Sequence, residues 1–317
     1  MRLTVSEAAR WLREHDHDTI LTHRRPDGDT VGSAAALCLG LRQLGKDATL
    51  FPNRQITPRL EPYTRELTDP ALEGRNLVAV DISSETLFPF GAEEVSVPLC
   101  IDHHSSNDDY AACTLVDAAC AACAELVYQV LLELGVTITP QIASALYLGL
   151  STDTGCFQYA NVTEQTFRIA AELKALGADC YGINKLMFAT KTLSRLRVES
   201  YLTEHLEFYA GGLVGICALP ESVMQELGVT EDDADGLSGF AREVEGVQIA
   251  GMLRQIEDGL GKISLRTDTA YDAAAICRLL GGGGHKGAAG ASVPGGIQGA
   301  RQALLGAIAQ QTGLSLT

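Results

Sequence analysis

This sequence is short of basic charge: in 317 residues, 24 Lys and Arg stand against 40 Asp and Glu, a formal charge of −16. No cluster of five or more basic residues occurs, which disfavours long nucleic acid as a partner, because its binding is dominated by phosphate neutralisation. A small anion held at a local positive site is not excluded, and bound metal ions could supply that site. The N-terminal residues lack the basic-then-apolar layout of a secretion signal. The nine cysteines are odd in number and scattered, so the expected setting is cytoplasmic, with reduced thiols. Cys120 and Cys123 form a CxxC, but they lie in the helical, Ala-rich "DAACAACAELVYQVL" with no second CxxC. They read as small core residues rather than zinc ligands. The uncharged stretch from Gly135 to Thr152 contains Pro140, Gln141, Ser144 and several Thr, and reads as a buried helix; no membrane association is expected.

What is present is apolar: 46% of the residues are hydrophobic, enough for a sizeable core, and the length suggests about two domains. The first half alternates short apolar runs ("TILTH", "ATLFP", "NLVAVD", "PLCID") with helical patterns over about Thr30–Leu44, Ala121–Leu134 and Gln141–Leu150. That alternation predicts an α/β fold: a mostly parallel sheet with flanking helices, expected on both faces. A helical, more polar stretch follows Thr163. We expect a first domain over 1–190, a connecting helix over 191–208 and a smaller α/β domain over 209–317. In the last, "GGLVGICALP" and "VQIAGMLRQIEDGLGKISLRT" read as strands, the second as a hairpin turning at Asp258, Gly259 and Gly261, and "YDAAAICRLL" reads as a helix.

Several apolar runs end in acids or histidines. "THRRPDGDTVGS" carries His23, Asp27 and Asp29, "NLVAVD" ends at Asp81, and "PLCIDHH" ends at Asp102, His103 and His104. Asp153 follows the uncharged helix in "GLSTDTGCFQY". Each has an ordinary explanation alone. Asp27 and Asp29 suit a helix-capping turn, although in an extended segment they would point the same way; Asp153 suits an N-cap or turn; histidines beside acids occur in structural ion pairs. Four separate segments presenting Asp or His make coincidence an awkward account. Ligands in open α/β sheets gather beyond the carboxyl ends of the strands, so these residues are expected to converge. An oxygen-rich set with a few imidazoles suits Mn²⁺ or Mg²⁺ better than a thiolate zinc site. Two such ions would share carboxylates and activate a water for attack on phosphorus.

"HRRPDGDTVGS", "VAVDIS", "IDHH" and "STDTGCFQY" resemble, in order, four motifs of the DHH phosphoesterase superfamily, and "GGGGHKGAAG" resembles the signature of its DHHA1 domain. The layout is most similar to the NrnA-like branch of oligoribonucleases and 3′-phosphoadenosine 5′-phosphate (pAp) phosphatases. The resemblance implies a DHH domain and a DHHA1 domain with the active site in the cleft between them, and two Mn²⁺, with Mg²⁺ as the alternative. By position, His23, Asp27, Asp81 and Asp153 would hold one ion, and Asp29, Asp81, His103 and Asp153 the other. His104 would contact the scissile phosphate or assist the leaving group, and Asp102 would orient the imidazoles. Gly282, Gly283, Gly284 and His285 would grip a substrate phosphate in an ordered close-approach loop, and Arg266, with Arg254 as the alternative, would contact the terminal nucleotide. Lys286 could equally be a solvated lysine, and His15, His17 and His205 read as structural or exposed. The implied activity is hydrolysis of very short RNA and of pAp. The rivals are a cyclic-di-AMP or linear dinucleotide phosphodiesterase and a non-catalytic nucleotide sensor; a homodimer is left open.

Overall fold

A computed structural model describes residues 1–234, 236–256 and 259–316. Asp258, expected in a hairpin turn, lies outside the described residues. The chain divides into two compact units, Met1–Thr190 and Lys191–Thr317.

In the first unit, α1 (Val5–Glu14) leads into β1 (Asp18–Leu21), α2 (Gly28–Gln43), β2 (Ala48–Leu50), β3 (Asn76–Val80), β4 (Leu99–Asp102) and β5 (Cys113–Val116). Then come α3 (Cys123–Glu133), α4 (Pro140–Asp153), α5 (Glu164–Ala175) and α6 (Cys180–Phe188). The strands form one sheet in the order β2-β1-β3-β4-β5, every pair parallel. β5 was not anticipated from the sequence.

Alternation along β3 splits the core in two. Val78 and Val80 face a large cluster shared with α1 to α6, while Leu77 and Ala79 face a smaller one with Phe51, Ile82, Phe88, Val97 and Ala111. The smaller cluster takes no residue from an α-helix. The sheet is therefore flanked by helices on one face only, where the sequence suggested both. The irregular segments after β2, β3 and β4 cover the other face. The β4 to β5 crossover is too short to carry a helix and passes on that side through Tyr110 and Ala111.

α2 and α4 pack nearly backbone to backbone. A Cβ on Gly32 would lie 2.9 Å from the Gly149 nitrogen, and one on Gly149 would lie 2.9 Å from the Ala124 Cβ and 2.6 Å from an Asp29 carboxylate oxygen. The uncharged segment is indeed a buried helix, started by Thr139, whose hydroxyl accepts from the Ile142 N–H, with Pro140 in its first turn. Among the described residues no helix is long and apolar enough to cross a membrane.

The second unit opens with α7 (Leu193–Glu204), whose Val198 and Leu202 are buried in that unit's own core. It continues through β6 (Glu207–Tyr209), β7 (Val214–Leu219), α8 (Glu221–Leu227), α9 (Glu231–Ala234), β8 (Ile249–Gln255) and β9 (Leu260–Thr267). α10 (Ala273–Arg278), β10 (Gly283–His285), β11 (Ala288–Pro294) and α11 (Gly296–Thr312) complete it. The sheet order is β10-β11-β9-β8-β7-β6, with only β7 and β8 parallel. Burial alternates strictly along β9: Ile263 and Leu265 face α10 and α11, leaving Lys262, Ser264 and Arg266 on the other side.

Candidate metal centre and its surroundings

β1, β3 and β4 are adjacent and parallel, so their carboxyl ends deliver three chain segments to one place. Asp81 leaves β3 with φ at +60°, a left-handed turn that is uncommon for a residue with a side chain and tolerated best by Asp and Asn. Asp27 is the N-cap of α2, accepting from the N–H groups of Asp29 and Thr30. Asp29 is already inside the first helical turn, so the two carboxylates diverge, contrary to the extended-segment expectation.

The Asp29 carboxylate crosses to the N-terminus of α3. There it accepts from the Cys123 N–H at 2.6 Å and the Ala124 N–H at 3.0 Å, and from the Ser33 hydroxyl at 3.0 Å. A helix N-terminus favours negative charge. Asp153 sits at the opposite kind of site, the C-terminal end of α4, where the helix dipole disfavours an acid and no N–H needs capping. Its presence there needs another reason than the helix.

The structure brings together His23, Asp27, Asp29, Asp81, Asp102, His103, His104 and Asp153. His23 Nε2 lies 3.6 Å from Asp27 and 3.8 Å from Asp81. His103 Nε2 lies 3.5 Å from Asp81, 3.5 Å from Asp153 and 3.9 Å from Asp29. These separations exceed a hydrogen bond, and they suit donors that each lie about 2.1 Å from a common ion. Three overlapping groups could hold a cation: His23–Asp27–Asp81, Asp29–His103–Asp153 and Asp81–His103–His104.

Backbone carbonyls, which can only accept, set the tautomers. His23 Nδ1 donates to the Arg24 carbonyl at 2.9 Å and His103 Nδ1 to the Cys120 carbonyl at 3.2 Å, leaving both Nε2 lone pairs towards the carboxylates. His104 Nδ1 lies 2.7 Å from Asp102.

The electrostatics ask for a cation. Asp81 is 3% exposed, and its Oδ1 is buried without a hydrogen-bond partner. Burial first, then the charges of Asp29, Asp27 and Asp102, lifts its carboxyl well above the usual range. Burial and the charges of Asp29 and Asp27 raise Asp153 against the pull of His104 and His23, and burial raises Asp29 against the pull of His103 and the α3 N–H groups. Among the described residues the ion-pair partners of Asp27, Asp29, Asp81 and Asp153 are all histidines. Oxygen and imidazole donors around an unneutralised carboxylate fit a hard divalent cation. The thiols take no part: Cys123 is buried, its Sγ donating to the Ile101 carbonyl, and burial holds its thiol protonated.

Some residues that build this cluster escaped sequence reasoning. Asn107 donates to Asp102 Oδ2 at 2.6 Å, while Oδ1 takes the N–H groups of His103 and His104. Asn161 donates to the Asp153 carbonyl at 3.1 Å. Asn53 donates to the His23 carbonyl at 2.9 Å. An Asn in a polar loop carries no periodic signal. Only the "DHHSSN" string, placing Asn107 three residues past His104, offered a hint.

The remaining expected site residues lie in the second unit. Register places His285, Ala288, Arg266 and Ala250 in one row across β10, β11, β9 and β8, with Gly283, Gly290, Ser264 and Met252 in the next. Residues directly opposite share a face, so His285 and Arg266 stand on the same side over a floor of glycine and alanine. The glycine run is an edge hairpin rather than a loop. A Cβ on Gly282 would lie 2.7 Å from the Ala291 Cβ; Gly284 has φ +140°, and a Cβ there would lie 2.6 Å from the Ala288 carbonyl oxygen. Close strand packing thus requires those two glycines, whereas Gly283 faces open space. Arg254 is engaged elsewhere, 2.6 Å from Glu231. His15 and His205 stack on Trp11 and Tyr201, and His17 pairs with Asp47.

Residues 19–150 match the DHH family, N-terminal domain, and residues 216–313 match the DHHA1 domain. The bifunctional oligoribonuclease and PAP phosphatase NrnA of Thermus thermophilus is 36% identical over 280 residues, 87% of this chain and 84% of that protein. The chain belongs to the DHH family. As a DHH–DHHA1 protein it is a phosphoester hydrolase. An exopolyphosphatase-related protein from Bacteroides fragilis shares the fold, with a TM-score of 0.88 at 21% identity over 96% of this chain and 95% of that one. RecJ of T. thermophilus in complex with Mn²⁺ matches with a TM-score of 0.54 at 18% identity, over 98% of this chain and 55% of that one.

Proposed function

We propose that this DHH protein hydrolyses short nucleotides, releasing mononucleotides from the 5′ end of very short RNA and phosphate from pAp, with two Mn²⁺ or Mg²⁺ ions. The observation that carries this reading is the set of three overlapping donor groups joined through Asp81 and His103, around a buried carboxylate oxygen with no partner. His23, Asp27, Asp81 and Asp153 would hold one ion, and Asp29, Asp81, His103 and Asp153 the other. Bound divalent cations would neutralise charge developing on the phosphoryl oxygens and lower the pKa of an attacking water.

The chain's own groups do the rest. The α3 N-terminus and Ser33 fix Asp29, and backbone carbonyls fix the His23 and His103 tautomers, so the donors are oriented before any ligand arrives. Asp102 takes the Nδ1–H of His104, which leaves Nε2 as the atom that meets the phosphate or protonates the departing oxygen. In the second unit, Arg266 and His285 stand over Gly283 and Gly290, where a phosphate can approach the sheet closely. The names of the curated relatives and the −16 charge both favour small nucleotides over long polymers.

Turnover with Mn²⁺ of pAp, pApA, cyclic di-AMP and a ~20-nucleotide RNA tests the reading, the long RNA probing the charge argument. Mononucleotide from pApA or phosphate from pAp, with the RNA nearly untouched, is expected. Preference for cyclic di-AMP would make the chain a signalling phosphodiesterase, and no hydrolysis of any would point to a sensor or to a substrate outside this set.

A further inference from the structure

We propose that Arg24 and Phe90 form a stacking platform for a nucleobase beside the metal cluster; this rests on the nucleotide reading above. Arg24 directly follows His23, so its backbone is about 3.8 Å of chain from a cluster residue, and its carbonyl is the group that sets the His23 tautomer. Two further bonds pin it to the segment after β3: its N–H donates to the Leu87 carbonyl at 2.6 Å, and Nε donates to the Phe88 carbonyl at 3.2 Å. The guanidinium carbon then lies 4.3 Å from the centre of the Phe90 ring.

Phe90 is not needed to hold its segment. Phe88, two residues earlier, is 1% exposed, packs edge-on against Tyr110 and anchors the segment in the smaller core cluster, whereas Phe90 is 49% exposed. A single exposed Phe is unremarkable by itself. This one carries a guanidinium fixed over its ring, from the residue that follows His23 of the cluster, in a protein whose charge is otherwise strongly negative. A planar cation on an aromatic ring is suited to a flat, electron-rich ring that ends in a phosphate: bases stack on guanidinium and aromatic planes, and Arg adds cation–π attraction. The opposing group is Glu93, 4.0 Å from Arg24 Nη2 and itself half exposed, so it leaves the arginine able to meet a ligand.

The experiment is equilibrium binding of AMP and of ribose 5-phosphate, which differ only in the base, to the Mn²⁺-loaded protein and to Phe90→Ala and Phe90→Trp. Stacking strengthens the binding of a base, so the wild type should prefer AMP by roughly tenfold. Phe90→Ala should lose most of that preference by weakening AMP alone, and Phe90→Trp should restore it. Equal weakening of both ligands, a preference that survives in Phe90→Ala, or a wild type without preference overturns the platform. A retained AMP preference in a protein that hydrolyses nothing in the substrate panel would instead overturn the short-nucleotide substrate reading alone.

Discussion

Two aspartates at opposite ends of the same sheet, Asp18 where β1 begins and Asp81 just beyond the end of β3, are both buried with carboxylate oxygens that have no hydrogen-bond partner. Burial lifts Asp18 to about 6 against the opposing pull of Lys46. Asp81 is lifted as well, by burial and by other carboxylates, yet it stands among histidines whose lone pairs are turned towards it. A buried unpaired acid is thus not by itself a site. What separates the amino end of the sheet from its carboxyl end is convergence. In a parallel sheet, every strand here hands its chain to a loop at the same edge, and several of those loops bring donors.

The comparison can be broken by experiment. Asp81→Asn should abolish hydrolysis, by about 10³-fold or more, the upper range for losing one transition-state-stabilising group, while raising the melting temperature of the metal-free protein. Mn²⁺ should raise the melting temperature of the wild type and have little effect on this variant; thermal unfolding with and without EDTA reads both. Unchanged activity would remove Asp81 from the ligand set.

Asn107→Ala should lower kcat by roughly 10- to 100-fold with KM little changed, as expected when the partner that orients a site residue is lost. Steady-state kinetics would show a rise in KM instead if Asn107 served substrate binding.

Asp18→Asn should leave kcat and KM alone and change only stability. Folded Asp18 keeps its proton to about pH 6, whereas the unfolded chain has released it by about pH 4. The folded state therefore binds more protons in that window, and stability falls as pH rises through it, by at most about 3 kcal/mol. Urea unfolding from pH 4 to 7 should show this slope in the wild type and its loss in the variant. A slope that persists would place the proton elsewhere.

How far this was legible in the sequence depended on the kind of signal. The apolar runs ending in "TH", "VD" and "IDHH" marked strands and their exits, because parallel strands are nearly continuous apolar stretches and the residue after each must leave the sheet. β5 went unread, since "CTLV" is short and follows a polar crossover. The one-sided helix cover went unread because strand alternation reports that both faces are buried, not what buries them. The glycine run was legible as ordered, but its pairing with β11 depends on residues that periodicity does not connect.

The sequence by itself determined the composition of the site: which donors exist, that they are oxygen and imidazole, and that they follow apolar runs. Tertiary structure decided their roles. Asp29 turns away from Asp27 because a helix starts between them, and it meets the α3 N-terminus only because Gly149 lets α4 come close enough. Asn107 reaches Asp102 only when its loop folds back. Residue identity and local spacing are written along the chain, whereas the direction of a side chain is set by close packing between segments far apart in it.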